Sequence, residues 1–298
     1  MKKWLTAIAF ATVASITLAG CGQNTAAPAS ADQSAKSAAQ QTTAQTKQDS
    51  TASATDTNTA AQQPQNVNLV VEPGMKLGPD GKLHDAFING DFTVTVGQPV
   101  KLTIYNYDDG THTLTASDLN LDVKVQGSKK KGEPGVTTVT FTPTKTGTFN
   151  WICKDPCDGE NNQWAMAHQG YMQGKITVTD QKVQHVSMVI NAGYKLGPDG
   201  KLHDAFTPGN FTVNSGEPVE LTIFNFDDGK HTFTAPGLNV NAQISGSTKK
   251  GEPSITKVTF TPQKSGKFQW NCTLKCDGEN QEWAMSHNDY MMGDVTVK

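Results

Sequence analysis

Arginine is absent from this chain of 298 residues, so all 25 of its basic side chains are lysines. The chain therefore lacks the guanidinium groups that bind phosphate and base edges through two hydrogen bonds at once. Its formal net charge of −3 excludes a strongly basic character. We therefore expect no nucleic acid partner, and we interpret the lysine clusters at 129–131 and 249–250 as solvated loops.

Cysteine is scarce, with five in the whole chain, and long apolar runs are nearly missing. The run from Trp4 to Leu18 follows two lysines and is too short for a stable membrane span. It has the form of an export signal, and it leads into Leu18-Ala19-Gly20-Cys21, which resembles the lipobox of bacterial lipoproteins. Residues 1–21 are thus predicted to be a lipoprotein signal peptide with lipidation at Cys21. The alternative is ordinary cleavage, which leaves Cys21 as a spare thiol.

Aromatic and branched aliphatic residues are missing from residues 22–66, where Ala, Gln, Thr, Ser and Asp dominate. Such a segment cannot bury enough apolar surface to offset the entropy lost on ordering. We predict a disordered tether here. The mature protein is expected to be extracytoplasmic and lipid-anchored to the bacterial cell membrane.

The rest of the chain consists of two copies of one sequence repeat. Residues 78–87 recur at 197–206, and matched positions keep one offset (231 − 112 = 119 and 291 − 172 = 119). Two domains of ordinary size are predicted, at 67–179 and 186–298. The connector at 180–185 is short, so we expect the two domains to lie close together.

Each unit consists of short strand-like runs. The runs at 100–105 and 137–142 alternate or are β-branched, and Gly, Pro, Asn and Asp separate such runs. No helical period is sustained beyond the predicted signal peptide. These patterns predict an all-β protein with an antiparallel β-sandwich in each domain.

A pair of cysteines follows one predicted strand in each unit. Each pair is followed by a histidine and a methionine, which gives the sets Cys153, Cys157, His168, Met172 and Cys272, Cys276, His287, Met291. Thiolate, imidazole and thioether are soft donors, a set that selects copper over harder ions. We therefore predict a metal site in each unit.

The order of these features resembles the cupredoxin family. In the second unit a strand-rich run from Phe211 to Asp227 precedes His231, and then come Phe-x-Trp-x-Cys, His-x-x-x-Met and a closing Gly-x-Val-Thr-Val strand. The resemblance covers nearly all of both units. It implies tandem Greek-key β-sandwiches that hold copper between a histidine from an early loop and the Cys/His/Met group.

The paired cysteines resemble the dinuclear CuA centre of oxidase subunit II and nitrous oxide reductase, because blue-copper sites use one cysteine. The resemblance implies copper as cofactor, two ions per domain. In the first unit it implies terminal imidazoles from His112 and His168 and bridging thiolates from Cys153 and Cys157. It also implies two axial ligands, the Met172 thioether and the Asp155 carbonyl. The same roles in the second unit fall to His231, His287, Cys272, Cys276, Met291 and Leu274.

One departure from the CuA pattern leaves alternatives open. Ten residues separate Cys157 from His168, more than the CuA pattern has. Surface insertions cost little loop-closure entropy, so the ligands need not move. The alternatives are one blue-type copper per domain without Cys153, another metal, or a Cys153–Cys157 disulfide, which export permits.

These features favour a membrane-anchored electron-transfer protein. No nucleophile–base pair is recognised, so we expect an electron carrier rather than a catalyst. The expected partner is a redox protein such as a cytochrome or oxidase. Copper delivery or storage, and a scaffold sandwich with vestigial sites, are the alternatives.

Several other polar residues are interpreted structurally. His84 and His203 occur in a repeated Gly- and Asp-rich segment and are interpreted as solvated turn histidines. The aspartate pairs at 108–109 and 227–228 are interpreted as residues that shape the turn before the histidine.

Overall fold

The computed structural model describes residues 62–298, so the predicted signal peptide, Cys21 and most of the predicted tether lie outside the described residues. Within that range no helix has the length and apolar character needed to cross a membrane. All helical segments there are short 3₁₀ turns, and the other regular elements are strands. The all-β fold class expected from the sequence is confirmed.

The two repeats contain the same series of nine strands. The first comprises β1 (Gln65–Leu77), β2 (Leu83–Ile88), β3 (Phe92–Thr95), β4 (Val100–Asn106), β5 (His112–Ala116), β6 (Leu121–Val125), β7 (Gly135–Phe141), β8 (Gly147–Ile152) and β9 (Gln173–Thr179). The second comprises β10 (Gln184–Leu196), β11 (Leu202–Thr207), β12 (Phe211–Val213), β13 (Val219–Asn225), β14 (His231–Ala235), β15 (Val240–Ile244), β16 (Ser254–Phe260), β17 (Gly266–Asn271) and β18 (Met292–Val297). The 3₁₀ turns are Ser117–Leu119, Gly159–Asn161, Trp164–Ala167, Pro236–Leu238, Gly278–Asn280 and Trp283–Ser286.

Each repeat is a sandwich of two sheets. In the first repeat the strand orders are β2-β1-β4-β7 and β3-β9-β8-β5-β6, and the second repeat has the equivalent orders. Most neighbours are antiparallel, but β1 pairs with β4 and β3 pairs with β9 in parallel. The predicted β-sandwich is confirmed, but these pairs are parallel where the sequence indicated antiparallel strands, because a strand run shows its period but not its partner.

Alternation in the sequence fixes which side of each strand is buried. In β4, Val100, Leu102 and Ile104 are fully buried while Lys101 between them is exposed. Each such burial stabilises the fold by about 1.5–3 kcal/mol relative to exposure. Strand pairing then extends slightly beyond the predicted domain starts, since β1 begins at Gln65 and β10 at Gln184.

A tryptophan on β8 forms the centre of the core beneath the cysteines. Trp151 has no exposed surface, and its indole N–H donates a hydrogen bond of 2.7 Å to the carbonyl of Gly90. Phe87 packs edge-on against the same ring at 4.8 Å. Because Trp151 lies two residues before Cys153, this packing fixes the end of the strand from which the cysteines emerge.

We expect Gly174→Ala to destabilise the protein by about 1–3 kcal/mol, the usual cost of overpacking a core. A Cβ at this position would lie 2.6 Å from the Gly90 carbonyl oxygen and 2.7 Å from the Trp151 indole nitrogen. Gly159→Ala is the control, because a Cβ there meets no atom within 4 Å. Urea denaturation measures both, and equal stabilities of the two variants would contradict the packing role.

Candidate metal centres

The cysteines emerge where three strands of the five-stranded sheet meet. Ile152, the last residue of β8, pairs with Thr115 of β5 and with Gln173 of β9. The next amide, that of Cys153, donates a hydrogen bond of 2.8 Å to the Met172 carbonyl. The first cysteine is therefore held by the strand ladder itself.

A histidine from β5 faces both sulfurs. His112 Nδ1 lies 3.0 Å from Cys157 Sγ and 4.0 Å from Cys153 Sγ, and all three residues are buried. The two sulfurs are 3.3 Å apart. A disulfide bond is about 2.05 Å long, so the cysteines are separate thiols.

The second repeat reproduces this geometry. The corresponding distances are 3.2 Å from His231 Nδ1 to Cys276 Sγ, 4.0 Å to Cys272 Sγ, and 3.4 Å between the sulfurs. Two compact His/Cys/Cys groups thus occur within the described residues.

A carboxylate fixes the direction of each histidine ring. Asp108 Oδ2 accepts a hydrogen bond of 2.8 Å from His112 Nε2, and Asp227 does the same for His231. With its Nε2–H held in this way, each ring presents Nδ1 to the sulfurs, the arrangement that tunes metal-bound histidines. The sequence interpretation gave these aspartates a turn role only. An Asp-x-x-x-His spacing in both repeats was the signal that it missed.

Backbone carbonyls complete the inner surface of each site. The Asp155 carbonyl oxygen lies 3.0 Å from Cys157 Sγ and 3.5 Å from Cys153 Sγ. In the second repeat the Leu274 carbonyl oxygen lies 3.3 Å from Cys276 Sγ and 3.6 Å from Cys272 Sγ. The structure therefore places both predicted carbonyl donors against the sulfur pairs.

The later histidines lie apart from these clusters. His168 Nδ1 lies 2.7 Å from the Trp164 carbonyl oxygen, and its ring stacks on the Trp164 indole at 3.4 Å. His287 has the same contacts with Trp283. Neither histidine belongs to a His/Cys/Cys group, so their role as ligands stays a prediction.

The predicted methionine ligands are buried beside the clusters. Met172 and Met291 have no exposed surface, and their carbonyls accept the amide hydrogen bonds of Cys153 and Cys272. These backbone bonds place the methionines next to the cysteines along the sheet. Thioether ligation itself stays a prediction.

The insertion after Cys157 is a compact loop tied to β2. Asp158 Oδ2 lies 2.7 Å from His84 Nδ1 and accepts the Ala165 amide at 2.9 Å. Asp158, Asn162 and Gln163 have positive φ angles of 59°, 55° and 60°, a cost that these side-chain bonds offset. The loop therefore adds length between Cys157 and His168 without loosening the segment.

The interpretation of His84 as a solvated turn histidine is wrong, and so is that of His203. Both side chains have no exposed surface. His84 lies between Asp80 and Asp158 and stacks on Trp164 at 4.1 Å. The local sequence suggested a turn, but one hydrogen-bond partner of His84, Asp158, lies 74 positions away.

Each buried thiol pair shares a proton. A hydrogen bond from the Cys157 thiol lowers the pKa of Cys153 to about 4, and His112 and the Thr113 amide act in the same direction. The thiolate of Cys153 in turn raises the pKa of Cys157. Burial opposes charge on His112, but its hydrogen bonds to Asp108 and Cys153 prevail and raise its pKa to about 9. These shifts favour an imidazolium beside a thiolate and a thiol in the metal-free site at neutral pH.

The cofactor that these donors fit is copper. Two sulfurs and an imidazole nitrogen are soft or borderline ligands, and a carbonyl oxygen suits a weak additional contact. Burial of all three side chains excludes water from the ligand atoms. A metal entering the site has to displace the protons on His112 Nδ1 and Cys157, so binding releases protons.

No family model matches the sequence, and no curated protein matches it either. Several solved structures match the chain remotely. The copper-containing nitrite reductase of Thermus scotoductus is 16% identical over 78% of this chain and 62% of that one, with a TM-score of 0.27. The chain thus spans less than two thirds of that enzyme.

Two further structures match at the same level. The blue copper oxidase of Nitrosomonas europaea is 14% identical over 79% of this chain and 87% of that one, with a TM-score of 0.27. The metal-binding domain of the Cu(I)-exporting P-type ATPase CopA of Streptococcus pneumoniae is 14% identical over 40% and 90%, with a TM-score of 0.27. The assignment of copper rests on the donor atoms of the two His/Cys/Cys groups.

We expect Asp108→Ala to lower the copper affinity of the first site about 10- to 100-fold, the usual effect of losing a carboxylate that orients a ligand histidine. Asp108→Asn should retain most of the affinity, because the amide oxygen accepts the same N–H. Titration of metal-free protein with copper against a competing chelator measures the change. The exposed neighbour supplies the control Asp109→Ala, and wild-type affinity in Asp108→Ala would contradict the role.

In metal-free protein, thiolate ultraviolet absorbance should report about one thiolate per repeat at neutral pH and lose it as the pH falls through about 4. The lowered pKa means that the charged form persists in acid until that point. Urea-unfolded protein is the control, where thiols titrate near about 8.5. A folded protein that titrates like the unfolded one would contradict the proton-sharing pair.

Proposed function

We propose that this protein carries electrons outside the cytoplasmic membrane through a copper centre in each repeat. The convergence of His112 Nδ1 with the sulfurs of Cys153 and Cys157 in a buried position supports the proposal. Each of these side chains is attached to a strand end or to a hydrogen-bonded turn beside one. Copper, when bound, supplies a one-electron couple.

The rigidity of the donors suits this role. Asp108 holds the His112 ring, the Thr113 amide donates to Cys153 Sγ at 3.3 Å, and the strand ladder holds the Cys153 backbone. Donors fixed in this way keep their positions in both oxidation states, so little reorganisation accompanies each electron. Preorganised ligand shells of this kind also tune the potential of a metal site.

We propose the CuA-like arrangement for each repeat. Sulfurs 3.3 Å apart, with one carbonyl against both, are suited to bridge two ions. Met172 would supply the thioether, and His168 would complete the set once its Nδ1 had left the Trp164 carbonyl. Metal binding can repay that lost hydrogen bond, which is worth about 1 kcal/mol.

A second candidate function is Cu(I) delivery or storage. It is favoured by one observation, that each compact group holds three donors while His168 stays bonded to Trp164. Two thiolates with one imidazole suit Cu(I) without further ligands. Rapid oxidation of a reduced cytochrome in stopped flow supports the electron carrier. Transfer of Cu(I) to an acceptor apoprotein without that oxidation supports delivery.

Anchoring and partners are part of the proposal. The chain is proposed to be lipidated at Cys21 and held to the outer face of the membrane by the segment before residue 62. The proposed partner is a redox protein such as a cytochrome or oxidase. Mass spectrometry of protein from a bacterial membrane fraction tests the lipid, and Cys21→Ser should release the protein.

Copper-replete protein is expected to bind about four copper ions per chain and to show the multi-line EPR spectrum of a mixed-valence pair. Cys153→Ser should convert the first site to one copper and leave the second unchanged. Cys272→Ser is the matched variant for the other repeat. Copper analysis with EPR makes the measurement. About two ions per chain with a single-copper spectrum would contradict the dinuclear assignment and indicate one copper per repeat.

A further inference from the structure

In each repeat, a loop that ends in a glycine forms a backbone hydrogen bond to the other repeat. We define the clasp loops as residues 128–132 and 247–251. The Gly251 carbonyl accepts the Leu77 amide at 2.8 Å, and the Gly132 carbonyl accepts the Leu196 amide at 2.8 Å. Both pairs keep the repeat offset (251 − 132 = 119 and 196 − 77 = 119), so one contact is made twice in opposite directions.

The clasp positions require glycine. Gly251 has a φ of +80°, and a Cβ there would lie 2.4 Å from Leu83 Cδ2 and 2.7 Å from the Met75 carbonyl oxygen. Gly132 makes the equivalent contacts with Leu202 and Tyr194. The lysines at 129–131 and 249–250 are exposed, which agrees with their interpretation as solvated loops, whereas the glycines that follow them are buried.

Leu77 connects the clasp to the first metal centre. Its amide bonds to Gly251, and its carbonyl accepts the Tyr171 hydroxyl at 2.7 Å. The next residue, Met172, accepts the Cys153 amide at 2.8 Å. Three hydrogen bonds thus lead from a loop of the second repeat to the first cysteine of the first repeat.

The other end of the same clasp loop is attached to its own metal centre. The Ser247 amide donates to the Asp227 carbonyl at 2.7 Å, and the Asp227 carboxylate holds His231. The Ser247 hydroxyl lies within hydrogen-bond distance of the Lys249 and Glu252 carbonyls, at 2.9 and 2.8 Å. The clasp loop therefore links the histidine of one repeat to the cysteine of the other.

We propose that each metal centre is positioned partly by the opposite repeat, with Gly251 and Tyr171 as positioning residues of the first centre and Gly132 and Tyr290 of the second. The Tyr290 hydroxyl donates to the Leu196 carbonyl at 2.8 Å, which completes the reciprocal connection. The proposal rests on metal binding by the His/Cys/Cys groups.

The first centre is tested alone in a Cys272→Ser, Cys276→Ser background, where the second site lacks its thiols. Gly251→Ala in the second repeat should then lower the copper affinity of the first site about five- to tenfold, the order seen for coupling through packed contacts. It should also shift the thiolate-to-copper absorption band. Gly200→Ala is the matched control, with a φ of +82° and no atom within 4 Å of its Cβ, and it should do neither.

Tyr171→Phe separates positioning from general destabilisation. It removes the hydroxyl that donates a hydrogen bond to the Leu77 carbonyl, so it should weaken copper binding by a similar factor. Gly251→Ala should have little further effect when added to Tyr171→Phe, because residues on one path are not additive. Fully additive losses would overturn the proposal. If Gly251→Ala fails to fold, Ser247→Ala replaces it, because it loosens the loop without a clash.

Hydrogen exchange on the metal-free protein gives a readout independent of copper. The amides of residues 153–172 should exchange faster in Gly251→Ala than in Gly200→Ala. If wild-type protein binds no copper but the two variants still differ in exchange, the proposed function is wrong and the positioning stands. Wild-type protein that binds copper, with Gly251→Ala matching Gly200→Ala in affinity, absorption and exchange, would overturn the positioning.

Discussion

Burial of two thiols and an imidazole at one strand end is the constraint on which the rest of each repeat depends. Polar groups withdrawn from water need partners. Cys153 receives the Thr113 amide and the second thiol, and His112 receives Asp108. These partners come from β5, from the turn before it and from the segment after β8. The site therefore exists only once the sandwich is in register.

The inserted loop shows how a long connection can stay rigid. A loop that supplied only length would free the segment before the final strand. Here Asp158 binds His84 of β2, the Ala165 amide and Asn161. Trp164 then lies between two histidine rings. The segment is tied to the four-stranded sheet, so both sheets hold the residues around the metal centre.

Duplication has given the protein more than a second copy of the site. The offset of 119 residues relates the core tryptophans, the His/Cys/Cys groups and the clasp contacts alike. At the equivalent positions 72 and 191, however, a glutamate faces an asparagine. Asn191 donates to Glu72 at 2.7 Å, and complete burial raises the pKa of Glu72 to about 8. The two repeats have thus become different where they meet.

Much of the fold and part of the site followed from the sequence. Alternation in runs such as β4 predicted strands, because burial of one face of a strand needs a period of two. The cysteine pair was found from its chemistry and its repetition, and His112 was assigned from a family resemblance. Asp108 was assigned only to a turn, and His84 was assigned to the solvent. The partner of Asp108 lies only four residues away, at His112, and the repeated spacing was not used. His84 contacts Asp158 and Trp164, which are distant in the chain, so its neighbouring residues do not reveal its burial.

The sequence by itself determined the duplication, the all-β class and the soft donor atoms, since these depend on residue types and short-range spacing. Only the tertiary structure decided that β1 and β4 run parallel, that His168 rests on Trp164, and that each clasp loop reaches the other repeat. The physical reason is range. A strand's period is set within a few residues, whereas a contact across a hundred residues depends on how whole sheets align.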